Sequence, residues 1–151
     1  MKRMHVHVSV TNLEDSVRFY STLFASKPTV EKPDYAKWML DDPRVNFVIQ
    51  THGTTTGLDH LGIQVDDDSE LAEVERRLVD AARPVHVQTA TTCCYAKSNK
   101  AWTADPEGIA WETFHTFDAA ETYGTDSAEL PAVRAAAKAS STTACCGPQA
   151  A

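Results

Sequence analysis

The sequence has no long apolar segment and no surplus of basic residues. No window approaches the roughly 20 apolar residues that a membrane-spanning helix requires, and the N-terminal stretch MKRMHVHVSV carries no secretory signal. Lys and Arg together number 14 against 21 Asp and Glu, which gives a net charge of -7. Nucleic-acid-binding proteins present basic surfaces instead. We therefore expect a cytoplasmic protein that binds neither membranes nor nucleic acids.

Cysteine is scarce, and all of it occurs in adjacent pairs. The four cysteines form two such pairs, Cys93 with Cys94 and Cys145 with Cys146. Neighbouring Cα atoms are about 3.8 Å apart, whereas unstrained disulfides prefer roughly 4.4 to 6.8 Å. Structural zinc sites usually separate paired cysteines by about two to four residues. The pairs therefore predict free thiols in a reducing compartment, and they favour a softer partner of lower valency than zinc.

The chain repeats its own pattern. The segment that starts at His5, HVHVSVTNLEDSVRFY, aligns without a gap with the segment that starts at His60, HLGIQVDDDSELAEVE, at an offset of 55 residues. Each copy opens with the alternation of a β-strand. A helix-capping residue and apolar residues at helical spacing follow in both copies.

Further strand-like segments complete each copy of the repeat. They lie near Ala36–Leu40 and Val45–Thr51 in the first copy, and near Val85–Gln88, Cys94–Ala96 or beyond, and Ala110–Phe114 in the second. A chain of 151 residues suits one domain with a real hydrophobic core. We therefore predict an α+β domain, residues 1–117, that contains two βαβββ modules at about 4–52 and 58–116.

The C-terminal part has a different composition. Residues 118–151 are rich in Ala, Ser and Thr and contain few large apolar residues. Such a segment buries little apolar surface, which predicts a flexible tail. A short helix near Ala132–Ala139 is the one element that we expect there.

The repeat predicts a metal site. His5 and His60 open the two halves at equivalent positions, so their side chains are able to converge where the halves meet. Glu112 on the last predicted strand adds a carboxylate, and two imidazoles with one carboxylate bind one face of an Fe(II)-type ion. From spacing alone, a surface role for His5 or a solvent-facing Glu112 stays open. His7 is expected to form a pocket wall or to support the ligands. Loop, exposed or packed roles are expected for His52, His86 and His115.

These residues resemble the vicinal oxygen chelate superfamily, whose members pair βαβββ modules around a divalent metal. The resemblance rests on HVHVSVTNLEDSVRFYSTLF, LDHLGIQV and TADPEGIAWETF and covers about residues 4–116. It implies that His5, His60 and Glu112 are metal ligands. The superfamily includes dioxygenases, isomerases, thiol transferases and metal-free antibiotic-binding proteins, so it does not by itself define a reaction.

The stretches CCYAKSNKAW and YAKW resemble more specifically the ArsI/CadI branch of carbon–arsenic lyases and cadmium-induced proteins. This resemblance implies an Fe(II)- and dioxygen-dependent enzyme that cleaves the carbon–arsenic bond of trivalent organoarsenicals. Methylarsenite and trivalent aromatic arsenicals would be substrates, and arsenite would be released. His5, His60 and Glu112 would be the catalytic metal ligands, and Cys93 and Cys94 would bind the substrate.

Arsenic valency explains why two thiols suit this chemistry. A trivalent arsenic atom with one organic group has two exchangeable ligands, which two thiolates replace. Lys97 and Lys100 are candidates for lowering the thiol pKa values, or they are solvated. Cys145 and Cys146 are possible accessory thiols that deliver arsenic or scavenge it. Tyr95, Trp102 and Trp38 are expected to line the cavity or to pack in the core.

Two alternatives stay open from the sequence. The first is a heavy-metal resistance protein that binds cadmium or arsenite without turnover. The second is another reaction of the superfamily, such as extradiol ring cleavage or thiol transfer, neither of which requires the cysteine pair. Both a monomer and a homodimer are compatible with the repeat.

Overall fold

The computed structural model describes residues 1–53, 55–124, 132, 133 and 135 of the chain. This part contains eight strands and two long helices. In chain order they are β1 (Arg3–Ser9), α1 (Leu13–Leu23), β2 (Val30–Lys32), β3 (Tyr35–Asp41), β4 (Arg44–Gln50), β5 (Gly57–Gln64), α2 (Asp68–Asp80), β6 (His86–Cys93), β7 (Ala96–Ala104) and β8 (Ala110–Ala119). Among the described residues, no helix is both long and apolar enough to cross a membrane.

The strands form one mixed sheet in the order β2-β3-β4-β1-β5-β8-β7-β6. The first strands of the two modules, β1 and β5, pair antiparallel at its centre. Each also pairs in parallel with the last strand of its own module, β4 or β8. The sheet curls as a half-barrel, which confirms the predicted α+β class and the two βαβββ modules.

Each helix begins directly after a capping residue, and the two caps lie at equivalent positions of the repeat. The side chain of Asn12 accepts a hydrogen bond of 3.0 Å from the backbone N–H of Asp15. Asp67 accepts one of 2.9 Å from the N–H of Glu70 at the start of α2. These bonds satisfy backbone donors that have no partner inside the helix. The repeat at the sequence level therefore corresponds to a repeat in capping geometry.

The two faces of β1 have different surroundings. Val6 and Val8 pack in the core formed by α1 and by a cluster around the fully buried Trp38. His5 and His7 lie on the opposite face and are also buried. The histidine face of the central strand therefore lies in the interior of the protein and not against bulk solvent.

The second module differs from the prediction near the cysteines. The strand predicted at Cys94–Ala96 or beyond is present as β7, but it begins only at Ala96, and β6 ends at Cys93. Cys94 and Tyr95 have φ values of 58° and 62°, and this left-handed conformation belongs to a tight hairpin turn rather than to a strand.

The last strand ends close to the predicted end of the domain. β8 continues to Ala119, two residues beyond the predicted domain end at 117, and that boundary stays a prediction. Residues 132, 133 and 135 are helical, while the rest of the helix predicted near Ala132–Ala139 lies outside the described residues. Cys145 and Cys146 also lie outside them, so their accessory role stays a prediction.

Candidate metal and thiol site

The central strands bring the two predicted histidine ligands together. The ring centroids of His5 and His60 are 5.2 Å apart, and both side chains are buried. His5 Nδ1 lies 3.0 Å from the carbonyl oxygen of Asn46, to which it donates. His60 Nδ1 lies 2.8 Å from Asp59 Oδ1 and donates to that carboxylate. With each Nδ1 proton used in this way, each Nε2 keeps its lone pair for another partner.

A β-bulge makes the contact between Asp59 and His60 possible. His7 pairs with His60 across β1 and β5, but the next residue, Val8, pairs with Leu58. Asp59 is therefore the extra residue in β5, and a bulge disturbs the strict alternation of side chains. Asp59 and His60 consequently line the same cavity. This arrangement resembles the carboxylate–histidine pairs that orient metal ligands in proteins.

Glu112 on β8 completes the predicted donor set. One carboxylate oxygen, Oε2, lies 3.7 Å from His5 Nε2 and 3.5 Å from His60 Nε2. The other, Oε1, accepts from the buried ammonium of Lys100 at 2.8 Å. Lys100 thus holds one oxygen of Glu112 and leaves the other facing the imidazoles. The structure brings together the three residues that the sequence analysis selected.

Gly62 allows β8 to approach His5 closely. A Cβ atom at this position would lie 2.3 Å from the carbonyl oxygen of Glu112 and 3.3 Å from Cδ2 of His5. Since the first of these contacts is with backbone, it is relieved only if the strands move. The absence of a side chain at Gly62 therefore determines where Glu112 lies relative to the histidines.

Burial and neighbouring charges determine the protonation of these donors. Burial and the nearby His60 ring lower the pKa of His5 from 6.5 to about 4. Burial lowers the pKa of His60, but its hydrogen bond to Asp59 and the charge of Glu112 raise that pKa by more. Burial raises the pKa of Glu112, but the ammonium of Lys100 together with His60 and His5 outweighs this effect and holds the pKa well below its usual range. His5 and Glu112 are therefore in their metal-binding forms at neutral pH.

A third histidine faces the same space. His7 is 3% exposed, and its ring centroid lies 4.6 Å from that of His60. One nitrogen from each of His5, His7 and His60 lies within 4.8 Å of the others. The Nε2 atoms of His7 and His60 have no hydrogen-bond partner among the described residues. Buried polar atoms without partners are costly, so a metal ion fits this donor set on the chemistry of the residues present.

The adjacent thiols occupy the hairpin turn between β6 and β7. Cys93 and Cys94 form no disulfide with each other, and their Sγ atoms are 3.0 Å apart. The left-handed conformation of Cys94 and Tyr95 is unfavourable for residues with a Cβ atom, and such conformations concentrate at functional sites. The turn thus keeps both sulfur atoms next to each other without a bond between them.

The chain beyond β8 holds this turn in place. Ala120 N–H donates to the Tyr95 carbonyl at 2.8 Å, and Cys94 N–H donates to the Tyr123 carbonyl at 2.5 Å. Gly124 pairs with Cys93, at a position where a Cβ would lie 1.8 Å from the carbonyl oxygen of Thr92. These contacts stabilise a backbone conformation that the local sequence does not favour.

One cavity is lined by the metal-type donors and by both thiols. Aromatic rings of Tyr35, Trp102, Phe114 and Tyr123 form much of the rest of its wall. Trp102 also packs in the core, where its Nε1–H donates to Gln88 at 2.9 Å. Such a cavity accommodates a small ligand with an organic substituent between the thiols and the histidines.

The pKa of the Cys94 thiol depends on more than the nearby lysines. The hydrogen bond with Cys93, together with burial, raises the pKa of Cys94 well above its ordinary value, although Lys100 acts in the opposite direction. Lys97 is half-exposed and pairs with Asp118 at 3.1 Å, away from the thiols. Lys100 therefore acts on the thiols as expected, but its influence on Cys94 is not the dominant one.

The remaining aromatic and histidine residues that the sequence suggested do not line the cavity. Trp38 is fully buried in the core and donates to the carbonyl of Ser26. Tyr95 donates to Asp34 at 2.7 Å, and His52 pairs with the same carboxylate at 2.6 Å. His86 is exposed and His115 pairs with Asp68. These histidines have the exposed or packed roles that were expected.

Asp59 was not predicted as a residue of the site. The dipeptide Asp59–His60 was a usable signal, since a carboxylate beside a candidate ligand is a common way to orient an imidazole. In a regular strand, however, neighbouring side chains point to opposite faces. Only the bulge makes this pair possible, and no local pattern announces it.

The fold is shared with solved structures of a glyoxalase and an extradiol ring-cleaving dioxygenase. The Mn(II)-bound glyoxalase from Novosphingobium aromaticivorans superposes with a TM-score of 0.56 at 16% identity, over 83% of this chain and 43% of that chain. No family model matches the sequence. The chain therefore has the fold of these glyoxalase and dioxygenase structures, and its central donor cluster lies inside that fold.

Curated proteins of similar sequence show the family to which the chain belongs. The trivalent organoarsenical cleaving enzyme of Bacillus sp. (strain MD1) is 42% identical over 119 residues, which is 77% of this chain and 74% of that protein. The cadmium-induced protein CadI of Mycobacterium bovis is 34% identical over 125 residues, 82% of each chain. The chain belongs to the family of trivalent organoarsenical cleaving enzymes and CadI proteins.

Proposed function

We propose that the protein cleaves the carbon–arsenic bond of trivalent organoarsenicals with Fe(II) and dioxygen and releases arsenite. The observation that carries the proposal is the shared cavity, which a 2-His-1-carboxylate set and an adjacent thiol pair both line. A relative at 42% identity is named as a trivalent organoarsenical cleaving enzyme. The donor set supports redox chemistry, and the thiols support recognition of arsenic.

Cys93 and Cys94 capture the substrate in this proposal. An organoarsenical with one carbon group, RAs(OH)₂, exchanges both hydroxyls for thiolates, and each thiol proton leaves with a hydroxyl as water. Two waters are released and the carbon–arsenic bond stays intact. The turn already holds the two sulfur atoms 3.0 Å apart, so little ordering remains to be done on binding. A dialkyl arsenical has only one exchangeable position and binds less tightly.

His5, His60 and Glu112 are the proposed iron ligands, through the two Nε2 atoms and Oε2. A ferrous ion in such a donor set supplies electron transfer to dioxygen and keeps open coordination positions. Lys100 donates a hydrogen bond to Oε1, so that Glu112 has one carboxylate oxygen left for the ion and not both. Asp59 and the Asn46 carbonyl hold the rings in the orientation that exposes each Nε2. The contribution of the protein is therefore mainly positioning.

The reaction balances for methylarsenite without an external reductant. The thiol-bound form CH₃As(SCys)₂ and O₂ give formaldehyde and HOAs(SCys)₂. Carbon loses four electrons and dioxygen gains four, while arsenic stays trivalent. Two waters then return the thiol protons and release As(OH)₃. The proposal thus predicts one dioxygen consumed for each arsenite released.

A second candidate function is binding of cadmium or arsenite without turnover. It is favoured by the relatives at 34% identity that are named cadmium-induced proteins. In that case the thiols alone account for the activity, and dioxygen has no effect. The two functions differ in whether the organic group is lost from arsenic.

The thiol assignment is tested by arsenic binding without oxygen. The background is a Cys145→Ser/Cys146→Ser variant, in which only Cys93 and Cys94 remain. We expect this variant to bind one methylarsenite per chain, and we expect its Cys93→Ser/Cys94→Ser derivative to bind none while still loading Fe(II). His5→Ala in the same background should lose Fe(II) and keep methylarsenite. Retention of methylarsenite by the variant without any cysteine would overturn the assignment.

A further inference from the structure

The described part of the cavity contains one buried imidazole that the proposed iron site does not use. His7 lies two residues after His5 on β1 and faces the cavity with it. Its position is directly opposite His60 in the pairing of β1 with β5. It is 3% exposed and its Nε2 has no hydrogen-bond partner among the described residues.

A purely structural role does not explain this environment. A buried imidazole that serves for packing normally satisfies its polar atoms with protein groups or ordered water. The rings of His60 and His5 lie close to His7, with centroids at 4.6 Å and 5.8 Å. Both of those rings donate their Nδ1 protons elsewhere, so in the neutral, metal-binding form of each ring the Nε2 atom faces the cavity as an acceptor. Acceptors do not satisfy one another, whereas a cation between them satisfies all of them.

The distances permit a common ion. One nitrogen from each of the three imidazoles lies within 4.8 Å of the others, and Glu112 Oε2 lies 3.5 Å from His60 Nε2. Donors bound at about 2.1 Å on opposite sides of an ion are about 4.2 Å apart. Adjacent donors at that bond length are about 3.0 Å apart, so the three imidazoles and Glu112 must move closer together to bind one ion.

We propose that His7 is a fourth protein ligand of the metal, with His5, His60 and Glu112. The inference rests on the proposed function in its assignment of these three ligands and adds one nitrogen donor to them. Two coordination positions then stay open instead of three. This is sufficient for dioxygen, because the thiols and not the ion hold the arsenical. The additional imidazole also strengthens binding of the metals that prefer nitrogen donors.

The test uses Co(II) as the probe, with its visible absorption as a readout that does not depend on turnover. The variants are His7→Phe, the positive control His5→Phe, and the matched control His115→Phe, whose histidine pairs with Asp68 outside the cavity. Phe replaces the His7 ring without leaving a large void. We expect His7→Phe to weaken Co(II) binding by more than about tenfold, since losing even a supporting partner of a ligand has that effect. Its Co(II) spectrum should change, while His115→Phe should match the wild type.

X-ray absorption on the Co(II)-loaded wild-type protein gives a reading that is independent of whether the variants fold. Three imidazoles around the ion support the proposal, and two overturn it. An unchanged affinity and spectrum in His7→Phe, with binding lost in His5→Phe, also overturn it while sparing the proposed iron site. Full Co(II) affinity in both variants would instead contradict the iron site itself, and the proposal with it.

Discussion

At the scale of single residues, the buried pair of Lys100 and Glu112 connects the two halves of the site. The ammonium lies 2.8 Å from Glu112 Oε1, and both side chains are 6% exposed. The same ammonium acts on both cysteines through its charge. Burial of either charge without the other is costly. Lys100 is therefore important for the fold as well as for the orientation of Glu112.

Replacing Lys100 with Met should destabilise the protein strongly. It leaves the Glu112 carboxylate buried without its counter-charge, and breaking a buried pair in this way typically costs about 3 to 5 kcal/mol. Chemical denaturation of the metal-free protein measures the change. Adding Glu112→Gln should recover most of the loss, since the remaining buried group is then neutral.

Lys97 provides the matched control for this prediction. Its pair with Asp118 is half-exposed, and surface pairs contribute little to stability. Lys97→Met should therefore leave the denaturation midpoint almost unchanged. Equal effects of Lys97→Met and Lys100→Met would show that the buried charge has no special role.

The protonation of Cys94 predicts how fast arsenic is captured. Hydrogen bonding with Cys93 and burial raise the pKa of Cys94 well above 9.0, so at neutral pH the thiol is protonated. The thiolate is the nucleophile, and its fraction increases about tenfold per pH unit below the pKa. The capture rate should therefore keep rising through pH 9. Stopped-flow mixing of methylarsenite with the Cys145→Ser/Cys146→Ser variant measures it, and a plateau starting below pH 8 would contradict the raised pKa.

At the scale of elements, the junction of β5 and β8 determines the metal-type geometry. Gly62 lies opposite Glu112 in this parallel pair, and its missing side chain is what lets the strands approach. Gly62→Ala places a Cβ 2.3 Å from a backbone oxygen, so the strands must separate and move Glu112.

We expect Gly62→Ala to weaken Co(II) binding much more than Gly57→Ala does. At Gly57 a Cβ meets nothing within 4 Å, although φ is +105°. That substitution therefore costs backbone strain without displacing β8. Metal titrations of the two variants measure the difference, and equal affinities would contradict a role for the close approach.

Local sequence predicted the elements whose signals are local. The caps Asn12 and Asp67 precede periodic apolar residues, and both helices begin there. The turn at Cys94–Tyr95 was missed because turns of this kind are usually marked by Asn or Gly. This turn contains neither Asn nor Gly. Contacts with a distant segment stabilise it instead, including the hydrogen bond from Cys94 N–H to the Tyr123 carbonyl. Contacts between distant segments do not appear in a local pattern.

At the scale of the whole molecule, the internal repeat predicted the most. It related His5 to His60 by 55 positions, and the paired modules bring their rings to 5.2 Å from each other. The burial of Lys100 was not predictable, because a lysine on a strand is usually solvated. Its partner Glu112 lies on the neighbouring strand, and only the register of β7 with β8 brings the two charges together.

The most direct test of carbon–arsenic cleavage is to supply the Fe(II)-loaded protein with methylarsenite, with and without dioxygen. Arsenite, formaldehyde and dioxygen consumption are then quantified after the thiols have been displaced. The proposed function predicts arsenite and formaldehyde in equal amounts, one dioxygen consumed for each, and neither product without oxygen. Recovery of intact methylarsenite under oxygen would contradict cleavage and would leave metal binding by the thiols as the function of the protein.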